Sequence, residues 1–119
     1  MFEAVDRLFA LGLTWPAVTR KSPWPGHDDL AVNGKTFAYL PARDGPFRFI
    51  FKLPYTGSEV LDRPDSELPG YGLGRAGWVT IRPSADAMPS FEQLCEWMEE
   101  SYRAQAPRRL VKMLDAEGE

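Results

Sequence analysis

The dipeptide Asn33-Gly34 restricts the fold more than any other feature of the chain. It stands between Leu30-Ala31-Val32 and Lys35-Thr36-Phe37-Ala38-Tyr39-Leu40. Both residues tolerate the positive φ angles of a type I′ turn, whose twist matches that of two paired strands. A two-residue loop sets the register, with Val32 opposite Lys35 and Leu30 opposite Phe37. Side chains alternate along a strand. Leu30, Val32, Phe37 and Tyr39 are therefore expected on one face, with Lys35 near its rim. Ala31, Thr36, Ala38 and Leu40 are expected on the other. The hairpin commits this part of the chain to antiparallel pairing.

The flanking segments extend that sheet and supply its cover. Arg43-Asp44-Gly45-Pro46 reads as a second turn. Residues 47 to 53 read as a strand with Phe47, Phe49, Phe51 and Leu53 turned to the core and Arg48, Ile50 and Lys52 turned away. Residues 78 to 82 read as another strand, ended by Pro83. Phe2, Val5, Leu8 and Phe9 recur at helical spacing over residues 2 to 12, Gly12 suits a helix stop, and Pro16 forbids continuation. Ser90 and Gln93 fit a capping box that opens the main helix, with a stripe of Phe91, Leu94, Cys95, Met98 and Tyr102. Pro107 suits the first turn of a last short helix, through about Leu114, and residues 116 to 119 read as a frayed tail. Residues 14 to 27 read as a loop holding two buried tryptophans, Trp15 and Trp24. Residues 54 to 76 read as irregular, with one helical turn at Ser58 to Leu61. No repeat or linker divides residues 1–119, which are expected to form a single domain. Antiparallel strands with helices at both chain ends imply an α+β two-layer sandwich, a sheet of four to six strands with the N-terminal and C-terminal helices packed on one face.

Composition removes several functional classes. A chain that is 44% hydrophobic and 13% aromatic is not globally disordered. No apolar run reaches bilayer-spanning length, so no membrane partner is expected. One cysteine, Cys95, and one histidine, His27, exclude an internal disulfide, a multi-cysteine zinc cage and a multi-histidine metal site. No cofactor and no metal are expected. The net charge of −3 argues against a domain that wraps nucleic acid with its whole surface. The N-terminus lacks the basic start and apolar core of a signal peptide, so the expected compartment is the cytoplasm, with Cys95 reduced.

Several stretches, taken in order, resemble a known family. They are Ala10-Leu11-Gly12-Leu13 with Pro16-Ala17-Val18, then residues 30 to 38 around Asn33-Gly34, then Phe49-Ile50-Phe51-Lys52. Later come Gly77-Trp78-Val79-Thr80-Ile81-Arg82 and residues 101 to 110, from Ser101-Tyr102-Arg103 to Arg108-Arg109-Leu110. Over roughly residues 4 to 114 the chain resembles the MmcQ/YjbR-like family, small bacterial proteins with a CyaY-like (frataxin-like) fold. The resemblance implies that fold and carries a DNA-binding label, but no catalytic motif transfers. Around Tyr71 to Trp78 some members have histidines and polar residues where this chain has Gly72, Gly74 and Gly77. The chain is accordingly expected to be a non-enzymatic binding domain.

Two basic groups are the candidate sites. The first is the outer sheet face: Arg48 and Lys52 point outward if the phenylalanines point inward, and Trp78 and Arg82 join them if Val79 and Ile81 face the core. An aromatic and three cations on a flat surface can stack bases and bind phosphates, or dock a protein. Trp78 is either open on this face or covered by the 54–76 loop. The second is Arg103, Arg108, Arg109 and Lys112. Arg108 and Arg109 stand near a helix start, where the dipole disfavours cations and an anion would relieve the conflict. The expected partner is DNA, bound weakly and salt-dependently, or alternatively a protein or small anion on the same face. His27 beside Asp28 and Asp29 reads as a surface or loop-stabilising residue. Cys95 reads as core packing. Glu92, Glu96, Glu99 and Glu100 read as a solvated helix face, and Gly70 to Gly77 as a flexible sheet-edge loop without the Lys-Ser/Thr of a phosphate loop.

Overall fold

A computed structural model describes residues 2–69 and 76–117. The elements are α1 (Phe2–Gly12), β1 (Val18–Lys21), β2 (Asp28–Val32), β3 (Lys35–Leu40), β4 (Phe49–Lys52), the single turn α2 (Gly57–Val60), β5 (Ser66–Glu67), β6 (Trp78–Ile81), a 3-10 turn (Ala85–Ala87), α3 (Phe91–Gln105) and α4 (Arg108–Glu117). The six strands form one antiparallel sheet in the order β1-β2-β3-β4-β6-β5. α1 packs on α3, and α3 lies across β3 and β4. This is the expected α+β two-layer sandwich, with six strands. No helix among the described residues is long and apolar enough to cross a membrane.

The hairpin forms as its dipeptide dictates. Asn33 has φ 51° and Gly34 φ 84°, both positive as a type I′ turn requires, and Val32 pairs with Lys35. The register then departs from expectation. Ala31 pairs with Thr36, but Leu30 pairs with Ala38, leaving Phe37 as an extra residue in β3. Such a bulge interrupts the alternation of side chains. Phe37, Ala38 and Leu40 are all fully buried in the helix-covered core, whereas Tyr39 turns outward and packs edge-on against Trp78, ring centroids 5.6 Å apart. The expected placement of Tyr39 inside, with Ala38 and Leu40 outside, is thus corrected by the bulge.

The bulge has a partner on α3. The Lys52 N–H donates to Ser101 Oγ at 2.8 Å, and the Ser101 hydroxyl donates to the Phe37 carbonyl. One residue away, Gln105 Nε2 donates to the Thr36 carbonyl at 3.1 Å. The β3–β4 ladder pairs only Ala38 with Phe51 and Tyr39 with Ile50. Helix α3 therefore supplies the hydrogen bonds that the two diverging strands do not give each other.

The core lies between the sheet and the helices. Phe49, Phe51, Leu53, Val79 and Ile81 meet Val5, Leu8 and Phe9 of α1, Leu94, Met98 and Tyr102 of α3, and Leu110 and Leu114 of α4. The Ser90 cap is in place, accepting the Gln93 N–H at 3.0 Å. The buried stripe of α3 is Leu94, Trp97, Met98, Ser101 and Tyr102, so Trp97 belongs to it and Cys95 flanks it half-buried.

Other expectations are corrected. Residues 14 to 27 are not all loop, because β1 forms there as an edge strand on β2. Trp15 is buried between Phe37 and Tyr102, but Trp24 is 66% exposed. The segment after Pro54 contains a second edge strand, β5. α4 continues past Leu114 to Glu117, so residues 116 and 117 are helical. The expected glycine-rich loop lies outside the described residues over positions 70–75, as do 118 and 119.

Candidate functional site

Alternation on β4 sends Phe49 and Phe51 to the helices and Ile50 and Lys52 to the opposite face. There a row of paired residues crosses all six strands: Lys21, Asp29, Tyr39, Ile50, Thr80 and Glu67. Lys52 and Trp78 pair in the next outward-facing position. The four residues expected on the outer face, Arg48, Lys52, Trp78 and Arg82, therefore do lie on or beside two adjacent strands of the sheet, β4 and β6.

They do not make a flat, open platform. Trp78 is 5% exposed and Arg48 6%, so neither is the solvent-facing residue that alternation alone suggests. Arg48 lies along the sheet, with Nη1 donating to the Leu40 carbonyl at 3.2 Å. Lys52 Nζ donates to Gln105 Oε1 at 3.4 Å. Arg82 is exposed but bonds Glu67 at 2.6 Å.

The least satisfied group on this face is Asp29. Adjacent strand residues face opposite ways, and the Asp28-Asp29 pair divides accordingly. Asp28 takes a two-pronged bond from Arg20, at 2.9 and 2.6 Å, and a third from Ser22. Asp29 is 2% exposed, and its Oδ1 has no hydrogen-bond partner among the described residues. Burial pushes its carboxyl pKa up, against the pull of Arg48, His27 and Lys21. Burial likewise pushes Arg48 down, with Asp29 opposing, and pushes Tyr39 up, with Asp29 adding to the shift. Sequence reasoning placed Asp29 only as a companion of His27 at the surface, although two successive acids on a strand point to opposite faces and so signal that one can enter the fold.

A second grouping forms at the hairpin end of the sheet. Gln105 joins the end of α3 to Thr36, next to Lys35, and to the Lys52 ammonium. Three residues later α4 begins with Arg108 and Arg109, both exposed. Tertiary structure thus brings Lys52, from one expected group, and Arg108 and Arg109, from the other, to one end of the molecule, and adds Lys35. Elsewhere arginines are consumed by carboxylates: Arg20 by Asp28, Arg43 by Asp6, Arg63 by Asp65, Arg82 by Glu67, and Arg103 by Glu99 and Asp115. Lys35, Arg108, Arg109 and Lys112 have no such carboxylate among the described residues.

The remaining candidates are structural or unengaged. Glu100 accepts the Tyr55 and Thr56 N–H groups at 2.9 and 3.1 Å and the Thr56 hydroxyl at 2.8 Å, tying the 54–57 turn to α3. No group of three or more His, Cys, Asp or Glu among the described residues is placed to hold a metal. Burial pushes the Cys95 thiol up, which makes it a poor nucleophile.

A family model described as YjbR matches residues 13–104. Among solved structures, the chain is similar to the crystal structure of the Deinococcus radiodurans protein DR2400, which carries a DUF419 domain. The two are 24% identical, the TM-score is 0.68, and the match covers 93% of this chain and 87% of that one. That likeness bears on the fold. No curated protein matches.

Proposed function

This chain belongs to the YjbR family, and from that premise we propose that it is a non-catalytic binding domain whose partner is a polyanion, in the first instance DNA. Binding is weak and runs through the cations at the hairpin end, Lys35, Lys52, Arg108 and Arg109, rather than through a stack on Trp78. One observation carries the reading. In a chain of net charge −3, these cations have no carboxylate partner among the described residues while five other arginines are paired. The free N–H groups opening α4 add favourable partial charge for phosphate. The domain is expected to act in the cytoplasm.

The test is retention of a short DNA duplex as salt is raised. Three or four phosphate contacts give a log–log slope of about −3. The triple change Lys35→Glu, Arg108→Glu, Arg109→Glu reverses three exposed charges and abolishes retention with the melting temperature preserved. Absence of salt-dependent retention by the wild type at low ionic strength overturns the proposal. So does undiminished retention by the triple variant.

A second reading is an adaptor for a protein or small anion on the outer sheet face. It is favoured by the half-buried Tyr39 and Ile50 beside the buried Arg48. Binding there would be insensitive to the triple change.

A further inference from the structure

Two arginines beside α1 are held in one and the same way. Arg20 lies over the Phe9 ring, 3.7 Å from its centroid, and donates to both carboxylate oxygens of Asp28, at 2.9 and 2.6 Å. Arg43 lies over the Phe2 ring at 4.7 Å and donates to both oxygens of Asp6, at 3.2 and 2.8 Å. Each guanidinium has a ring face beneath it and a carboxylate at its fork, the two things its planar charge and parallel N–H groups recognise.

A groove of about 470 Å³ lies beside them, with Val5 and Phe9 on its floor and the 22–28 and 41–44 loops as its walls. That volume suits a small ligand or a few side chains. The walls are held together. Gly26 has φ +82°, and a Cβ on Gly45 would stand 2.6 Å from the Gly26 carbonyl oxygen, so the two loops meet backbone to backbone. On one wall Trp24 sits between Pro23 and Pro25, whose fixed φ angles limit its backbone. It is 66% exposed, and no ring or guanidinium lies on it among the described residues. On the other wall Asp44 is exposed and has no ion-pair partner among the described residues. The groove therefore holds an open aromatic face and an open carboxylate, the components that grip Arg20 and Arg43, without a guanidinium between them.

We propose that this groove binds an arginine side chain of a partner peptide, its guanidinium stacked on Trp24 and paired with Asp44, and a neighbouring apolar side chain resting on Val5 and Phe9. Tryptophan is the strongest ring for such a cation. Arginine fits better than lysine because it stacks and forks. A phosphate-bearing ligand is disfavoured, because the unpaired charge in the groove is negative. The groove adjoins Asp28 and Pro41, at the opposite end of β2 and β3 from the hairpin. The inference is thus independent of the proposed DNA contact, and either can fail alone.

The probe is N-acetyl-alanyl-leucyl-arginyl-alanine amide, compared with the same peptide carrying neutral citrulline in place of arginine. Trp15, Trp78 and Trp97 are 9%, 5% and 4% exposed, so the indole N–H resonance that moves on titration is that of Trp24. The arginine peptide should move it saturably, and the citrulline peptide should bind about tenfold more weakly. Asp44→Asn should weaken binding about fivefold, and Trp24→Ala about tenfold by anisotropy of a labelled peptide, with circular dichroism and melting temperature unchanged. Equal affinity for the two peptides, no saturation up to about 10 mM, or an Asp44→Asn variant that binds as well as wild type overturns the proposal. Displacement of the peptide by a short DNA duplex overturns it too.

Discussion

Neighbouring residues of β4 end in different surroundings. Phe49 and Phe51 are fully buried and join an apolar core under α1, α3 and α4. Ile50, between them, faces the other side of the sheet, where no helix among the described residues covers it. That outer side buries Asp29, Arg48 and Thr80 together with Ala31 and Trp78. Burial on the inner face stabilises, at about 25 cal/mol per Å² of apolar surface removed from water. Burial on the outer face is mixed, because each desolvated polar group costs free energy unless it finds a partner, and Asp29 Oδ1 has none among the described residues. The contrast teaches that exposure alone does not say what a residue does for the fold. Phe51 and Asp29 are both hidden from water, at 0% and 2% exposure, yet burial favours the ring and penalises the charged carboxylate.

The comparison breaks most directly by truncation on each face. Phe51→Ala should cost about 3–5 kcal/mol in urea unfolding, as deletion of a packed core ring does. Ile50→Ala, half-buried on the outer face, should cost about 1 kcal/mol. Equal losses would erase the distinction between the faces.

A smaller loss tests whether the inner face is secured by polar contacts as well as apolar ones. Ser101→Ala removes the hydroxyl that joins the Lys52 N–H to the Phe37 carbonyl. It leaves the buried Phe37 carbonyl and the part-buried Lys52 N–H without that partner, at about 2–4 kcal/mol. Hydrogen exchange at the Lys52 amide should accelerate more than at its β4 neighbours. Unchanged stability and exchange would mean that β3 and β4 hold their register without α3.

The smallest effect sharpens the outer face and depends on pH. The Asp29 carboxyl has its folded pKa raised, with burial as the main cause. Between the unfolded and folded values the native state binds the extra proton. Wild-type stability from this group therefore falls as pH rises through the folded pKa. Asp29→Asn does not titrate, so its melting temperature relative to wild type should climb over that same interval. The exposed Asp6 and Asp115, both held low by arginine, give the opposite trend but cancel in the difference. A gap between the two proteins that is constant with pH would place Asp29 in a satisfied site.

Much of the fold was legible because it is local. The I′ turn needs two residues that accept positive φ, and Asn33-Gly34 are those residues whatever surrounds them. The Ser90 cap and the 3.6-residue stripe of α3 are equally short in range. What escaped the sequence was set by partners far along the chain. The bulge at Phe37 depends on Ser101, 64 residues away, and it exchanges the faces of Tyr39 and Leu40. Trp15 and Trp24 occupy similar proline-rich surroundings, and only the rings of Phe37 and Tyr102 bury one and not the other. β1 is four residues, Val-Thr-Arg-Lys, with no apolar alternation of its own. It exists because β2 offers it an edge.

The candidate site divides in the same way. Alternation alone assigned Arg48, Lys52, Trp78 and Arg82 to the outer face, because a strand has a period of two and its inner set is unmistakably aromatic. Whether those cations are free was decided only in three dimensions, since that depends on which carbonyl, carboxamide or carboxylate reaches them: Leu40 for Arg48, Gln105 for Lys52, Glu67 for Arg82. The same holds for the groove at Trp24, whose two walls are separated in sequence and meet where Gly26 and Gly45 touch. Backbone preferences and side-chain periodicity are properties of a few consecutive residues, so the amino-acid order carries them outright. The pairing of charges and the exposure of rings are properties of distant segments in contact, and they come into being only when the chain has closed on itself.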